Sequence, residues 1–253
     1  KLYAAGRIKG SRFIKREGRP TDEAVLVARF IDRAIRPLFD ARIENDVQVI
    51  LSVLAFDGEN DADIPALIGA SIALHISDIP WNGPVSAVRI GDSPNRAGHK
   101  NNEWLVNPDF KARDEAGVTL DMIACGKDGT INMMEIGSKE VGEDVVNEAL
   151  IRASAEIEKV QKWQEKIIKE IGKKKAVVKL PEPTPGTKEL FDAEIGPLLP
   201  EFVFGKDAGK AKHLEIIEKW MALFNEKIPE GNGSMAMEIF EEAVNELLHE
   251  YAI

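Results

Sequence analysis

The 253-residue sequence contains a single cysteine, Cys125, set in an apolar run. A lone thiol forms no intrachain disulfide, so the fold must hold by packing, and a reducing cytoplasmic setting is the expectation. No apolar stretch approaches the ~20 residues that a membrane-crossing helix needs, and the first residues lack the pattern of a signal peptide. No membrane partner is expected. The four histidines, His75, His99, His213 and His249, have no zinc-like spacing and no cysteine pair beside them, so no metal site is expected there. The nucleophile-elbow pattern of glycine, serine and glycine at alternate positions is missing. Gly205 to Lys210 imitates a phosphate loop, but it is one residue short between its glycines, has Ala211 where Ser or Thr belongs, and follows no strand. It reads as a helix start capped by Asp207. No short-period repeat occurs, and the only biased tract is rich in lysine and proline.

What is present begins with charge. Residues 1–42 hold eleven Lys and Arg against five acids, +6 in a chain whose total is -10. The positive end is sharpest at Arg12-Phe13-Ile14-Lys15-Arg16-Glu17-Gly18-Arg19-Pro20. Cations neutralise phosphates and an aromatic face accepts a base, which suits RNA or another phosphate-rich ligand; a solvated basic loop is the plain alternative. The acidic remainder argues against a general nucleic-acid coat, so binding should be local and salt-sensitive. With 44% hydrophobic residues, the chain can build one large domain or a domain with an appendage. It opens at Lys1 without methionine, which suggests that the gene product starts earlier.

Thr21 as N-cap with Asp22 and Glu23 in the first turn predicts a helix to Leu38. Val27, Ile31, Ala34, Ile35 and Leu38 form its apolar face, while Arg29, Arg33 and Arg36 share a polar face with Asp32. That arginine row could clamp phosphates, a neighbouring subunit or a small anion; an exposed face with an Asp32–Arg36 pair is the simpler reading. Val47 to Phe56 reads as a buried strand, Asp57 to Asp63 as an acidic loop, and Ile64 to Ile76 as a helix whose Gly69, Ala70 and Ser71 permit close packing. Two hairpins follow, 84–90 with 103–106 around a mobile surface loop from Asp92 to Asn101, and 118–125 with 130–136 around Gly126-Lys127-Asp128-Gly129. Val145, Ala149, Ala153, Ile157, Val160, Ile167 and Ile171 predict a long amphipathic helix. Residues 172–187, with Lys173 to Lys175 and Pro181, Pro183 and Pro185, read as a semi-rigid linker, and 188–253 as a small helical module with Leu214, Ile217, Met221 and Phe224 on one face. Among the many carboxylates, Asp57, Asp61, Asp63, Asp114, Glu115 and Asp121 include pairs that could hold Mg²⁺ near a phosphate, although most should be solvated.

Tyr3-Ala4-Ala5-Gly6-Arg7-Ile8, Arg16-Glu17-Gly18-Arg19-Pro20, Ile31-Asp32-Arg33 and Ile35-Arg36-Pro37-Leu38-Phe39 resemble the first RNase PH-type core of the bacterial polynucleotide phosphorylase family. The likeness continues through Asn45-Asp46-Val47-Gln48-Val49-Ile50, Asp63-Ile64-Pro65-Ala66, Ile68-Gly69-Ala70-Ser71, Ile79-Pro80-Trp81-Asn82-Gly83-Pro84 and Val106-Asn107-Pro108. It implies an α+β fold: an RNase PH-like core over 1–171, a mixed sheet packed with helices like domain 2 of ribosomal protein S5, lacking its opening strands. A linker over 172–187 and the all-helical inter-core domain over 188–253 would follow. The second core and the family's C-terminal RNA-binding domains would lie outside the sequence.

The resemblance further implies a cytoplasmic homotrimer that shortens single-stranded RNA from its 3′ end in mRNA decay, using inorganic phosphate to release nucleoside diphosphates. Mg²⁺ would be held by the second core, with none expected here. In that family a loop of two phenylalanines and two arginines lines a central opening; its counterpart reads Phe13-Ile14-Lys15-Arg16 with an extra Arg12. Arg12, Phe13, Lys15, Arg16 and Arg19 are thus the implied RNA-binding residues, and Arg29, Arg33 and Arg36 implied RNA or interface residues. A phosphate-binding serine run of the active core aligns with Asp61-Ala62-Asp63, where carboxylates would repel phosphate. The metal-holding aspartate corresponds to Asp121 and a lysine two residues on to Ile123, while Glu115 lies near a second family aspartate. The implied site is vestigial, with no catalytic residue in this chain. A non-enzymatic scaffold that docks a helicase or endonuclease is the competing expectation.

Overall fold

Residues 20–93, 103–206 and 209–252 are described by a computed structural model. It falls into two units, Lys1–Val178 and Lys179–Ile253.

The first unit is built on a four-stranded antiparallel sheet, ordered β2-β1-β3-β4, from β1 (Ser86–Ser93), β2 (Glu103–Val106), β3 (Leu120–Lys127) and β4 (Thr130–Ser138). Both predicted hairpins are present as pairs of antiparallel neighbours. The second turns through Asp128 and Gly129, whose φ of 51° and 79° suit a two-residue connection that follows the twist of the strands. Residues 94–101 of the predicted surface loop lie outside the described residues. Asp92, assigned to that loop by sequence, instead sits in β1 and is buried. Its carboxylate accepts from Thr119 N at 2.7 Å, from Leu120 N at 2.6 Å and from the Thr119 hydroxyl, which offsets the cost of burying it.

Alternation along β1 and β3 sends Val88, Ile90, Leu120, Met122 and Ala124 to one face, where Ala149, Ala153 and Ile157 of α4 (Glu143–Ile171) cover them. The buried stripe of α4 then runs on through Gln161 and Gln164, while Ile171, predicted to share it, is exposed. Gln164 earns its place by bonding: Ser71 Oγ donates to its Oε1 at 2.9 Å, and its Nε2 donates to Val85 O at 3.1 Å and to Ser86 Oγ.

Ala87, Ile123 and Cys125 face the other way, against α1 (Asp22–Ile35) and α2 (Asp63–Ile76). The Thr21 hydroxyl accepts from Ala24 N at 3.2 Å and caps α1 as expected, and a 3-10 turn around Pro37 ends it. Ala70 and Ser71 are the small residues that bring α2 close to its neighbours; Gly69 faces open space. Lys175, within the lysine-rich stretch, donates to Leu74 O, His75 O and Ser77 O at 2.9–3.0 Å, and so satisfies the C-terminal carbonyls of α2.

Residues 47–56 do not form the expected buried strand. No ladder among the described residues includes them beyond an isolated bridge at Val53, and Ile50 and Leu54 are 70% and 75% exposed. High β propensity makes a strand only where a neighbouring strand takes the backbone groups.

The second unit is helical: α5 (Thr187–Glu194), a 3-10 turn at Gly196–Leu198, α6 (Leu199–Phe204), α7 (Lys210–Lys227) and α8 (Gly233–Ala252). Phe191, Trp220, Phe224 and Phe240 fill its core, and Trp220 Nε1 donates to Ala236 O at 2.9 Å. The buried face of α7 is Ile216, Trp220 and Phe224; Leu214, predicted to lie on it, is exposed. Asp207, the predicted cap of α7, lies outside the described residues, and the helix starts after Gly209 with no side-chain cap.

Candidate functional site

Three carboxylates and two guanidiniums converge on the α1/α2 side of the sheet. The loop before α2 supplies Asp61, the first turn of α2 Asp63, β1 Arg89, β3 Asp121, and the short helix α3 (Phe110–Ala116) Arg113. Register explains much of it. Arg89 faces Ile123 across the β1–β3 ladder and Gly91 faces Asp121, so Arg89 and Asp121 lie diagonally on one face.

Arg89 Nη1 bonds the Asp121 carboxylate at 2.9 and 3.1 Å, and its Nη2 bonds Asp63 at 2.8 Å and lies 3.3 Å from Asp61. Arg113 Nη2 bonds Asp61 at 2.7 Å and its Nη1 reaches Asp121 at 3.4 Å. The arginines are well covered, at 12% and 15% side-chain exposure, where paired charges interact far more strongly than at a wet surface. Burial pulls the Arg89 pKa down, but Asp121, Asp63 and Asp61 outweigh it and carry the group above its ordinary value. Burial, with Asp63 beside it, holds the Asp61 carboxyl above its usual value despite Arg89 and Arg113.

Sequence reasoning found the three aspartates and missed both arginines. Arg89 had a signal, the lone cation of its strand, alternating with Ala87 and Gly91. Arg113 had a weaker one: the Asp109 carboxylate accepts from Ala112 N at 2.6 Å and Gly117, with φ of 61°, closes the helix. Ile123, aligned with a family lysine, is buried in the core. Glu115 stands outside the cluster, 3.6 Å from Lys111 on an exposed face. Mg²⁺ does not fit here, because each of the three carboxylates already gives an oxygen to a guanidinium N–H. Among the described residues, no three His, Cys, Asp or Glu side chains are placed to hold a metal ion.

Arg12, Phe13, Lys15, Arg16 and Arg19 all lie outside the described residues. Arg29 and Arg33 on α1, and Arg36 in the turn that follows it, are exposed. Arg36 makes the expected pair with Asp32 at 2.7 Å, and Arg33 reaches Glu135 of β4 at 3.2 Å. Each such pair is worth only ~0–1 kcal/mol, so an incoming anion could displace it.

Residues 1–80 match the RNase PH family described as 3′ exoribonuclease family, domain 1. The chain is 44% identical over 180 residues to polyribonucleotide nucleotidyltransferase from Streptococcus uberis, covering 71% of this chain and 23% of that protein. The Streptococcus suis protein of the same name matches with the same identity and coverage. The chain thus spans about a quarter of the length of these relatives. A solved structure titled "Archaeal exosome core" aligns at a TM-score of 0.42 and 14% identity, covering 59% of this chain and 66% of that one. By these matches the chain is similar to about a quarter of a polyribonucleotide nucleotidyltransferase, and its first 80 residues to domain 1 of the RNase PH-type 3′ exoribonuclease family.

Proposed function

We propose that the chain is the RNA-guiding, non-catalytic portion of a phosphorolytic 3′ exoribonuclease, which shortens RNA with inorganic phosphate and releases nucleoside diphosphates. The 44% identity over 180 residues to polyribonucleotide nucleotidyltransferases carries this reading. The Asp61, Asp63 and Asp121 cluster supports it, since its charges are spent on Arg89 and Arg113 and leave no phosphate- or metal-holding group for chemistry. Chemistry and Mg²⁺ then belong to another core of the whole enzyme. Residues 1–171 serve as the first core, 172–187 as a linker and 188–253 as the helical spacer. The whole enzyme works as a cytoplasmic homotrimer in mRNA decay, in which three copies of the basic loop, Arg12, Phe13, Lys15, Arg16 and Arg19, surround the entering strand. Arg29, Arg33 and Arg36 provide secondary RNA or interface contacts, and a decay helicase or endonuclease is a further partner.

The test is the whole enzyme carrying Phe13→Ala, or Lys15→Ala with Arg16→Ala. Loss of one stacked base, ~1–3 kcal/mol, should weaken binding of long single-stranded RNA by about 5- to 100-fold. Turnover of short oligomers at saturation should be retained, and this chain alone should release no nucleoside diphosphate. Unchanged affinity for long RNA would reject the guiding role.

A further inference from the structure

We infer that Arg89 and Arg113 form a built-in plug that closes the aspartate cluster to divalent cations and to inorganic phosphate alike. Simple repulsion by three carboxylates would exclude phosphate but invite a cation. The arrangement excludes both, because the planar guanidinium of Arg89 spans Asp61, Asp63 and Asp121 while Arg113 bonds Asp61 and Asp121. A bound Mg²⁺ demands near-octahedral oxygen ligands at about 2.0–2.1 Å, and here each of the three carboxylates already has an oxygen taken by a guanidinium N–H. Phosphate meets the converse obstacle: the guanidinium forks are occupied by carboxylates, and the left-over Nε of Arg89 is buried without a partner, out of a solute's reach. One excess negative charge remains to repel it. The five groups come from β1, β3, α3, α2 and the loop before α2, so the plug also ties these elements together.

The inference rests on the reading of this core as non-catalytic, yet its test measures ions and not RNA, so the two fail separately. Mn²⁺ binding followed by electron paramagnetic resonance, and phosphate binding followed by calorimetry, would be compared in the whole chain and three variants. Arg89→Met with Arg113→Met frees three carboxylates and should bind Mn²⁺ at least about tenfold more tightly than the unaltered chain, an increment lost on adding Asp121→Asn. Asp61→Asn with Asp121→Asn releases Arg113 at nearly constant shape and should gain phosphate affinity by about tenfold or more. Circular dichroism checks folding. If the double Met variant does not fold, the phosphate gain of the double Asn variant decides alone. Mn²⁺ binding by the unaltered chain as tight as that of the Met variant, or a folded variant without its gain, overturns the plug.

Discussion

Replacing Gln164 by leucine tests whether the sheet is held to its helices by a polar clamp or by apolar contact alone. Gln164 is fully buried on α4, and so are Ser71, Val85 and Ser86, which it joins. Leucine keeps much of the volume but removes the acceptor for Ser71 Oγ and the donor for Val85 O and Ser86 Oγ. Each buried polar group left without a partner costs ~1–3 kcal/mol. Ser71 Oγ still accepts from Val85 N at 3.0 Å, so its oxygen stays satisfied and we expect ~2–5 kcal/mol in total. For a unit of this size that lowers the melting temperature by about 5–15 °C. The assay is urea unfolding read by the reactivity of Cys125, a thiol buried in the first unit and absent from the second. Burial, then Glu135 and Asp63, push its pKa up to about 12, so the native thiol is inert and reaction reports opening. Adding Ser71→Ala to Gln164→Leu also strips the acceptor from Val85 N, so the pair should be no more stable than Gln164→Leu alone, yet cost less than the sum of the two single changes because both break the Ser71–Gln164 bond. A loss below about 0.5 kcal/mol for Gln164→Leu, or full additivity of the pair, would refute the clamp.

Trp220→Ala should cost ~3–5 kcal/mol in the helical unit, because the ring is fully buried, lies edge-on to Phe191 at 5.1 Å and bonds Ala236 O; helix ellipticity on heating measures it. Lys175→Met takes the ammonium from Leu74 O, which keeps the Ser77 hydroxyl, and from His75 O and Ser77 O, and should speed amide exchange in the last turn of α2, with a stability loss of ~1–3 kcal/mol. Asp57, bonded first by the Asn60 backbone, then by the Asn60 side chain and Glu59 N, is held at about 2. Its pKa is depressed on folding, so the contribution of this turn is present above the ordinary carboxylate value and fades as pH falls through about 2. A carboxyl NMR titration of Asp57 should show that midpoint, and Asn60→Ala should raise it.

Local patterns sufficed wherever a structure is decided by residues a few places apart. Thr21 with Asp22 and Glu23 marks the start of α1, and Gly126 to Gly129 the turn between β3 and β4. The apolar spacing of Ala149, Ala153 and Ile157 set the face of α4. The same logic went astray at 47–56, whose apolar residues have strand character but no ladder to join among the described residues, and at Leu214, which loses its place to a face organised by Trp220.

Sequence alone also singled out Asp61, Asp63 and Asp121, but as repulsive remnants. Only the folded chain shows that Arg89 and Arg113 pair with them, since these bonds join residues 8 to 52 positions apart. Charge pairing at such separations depends on strand register and helix placement, which no short window of residues encodes. Composition determined that a basic end meets an acidic body; packing decided which of those charges remain free to act.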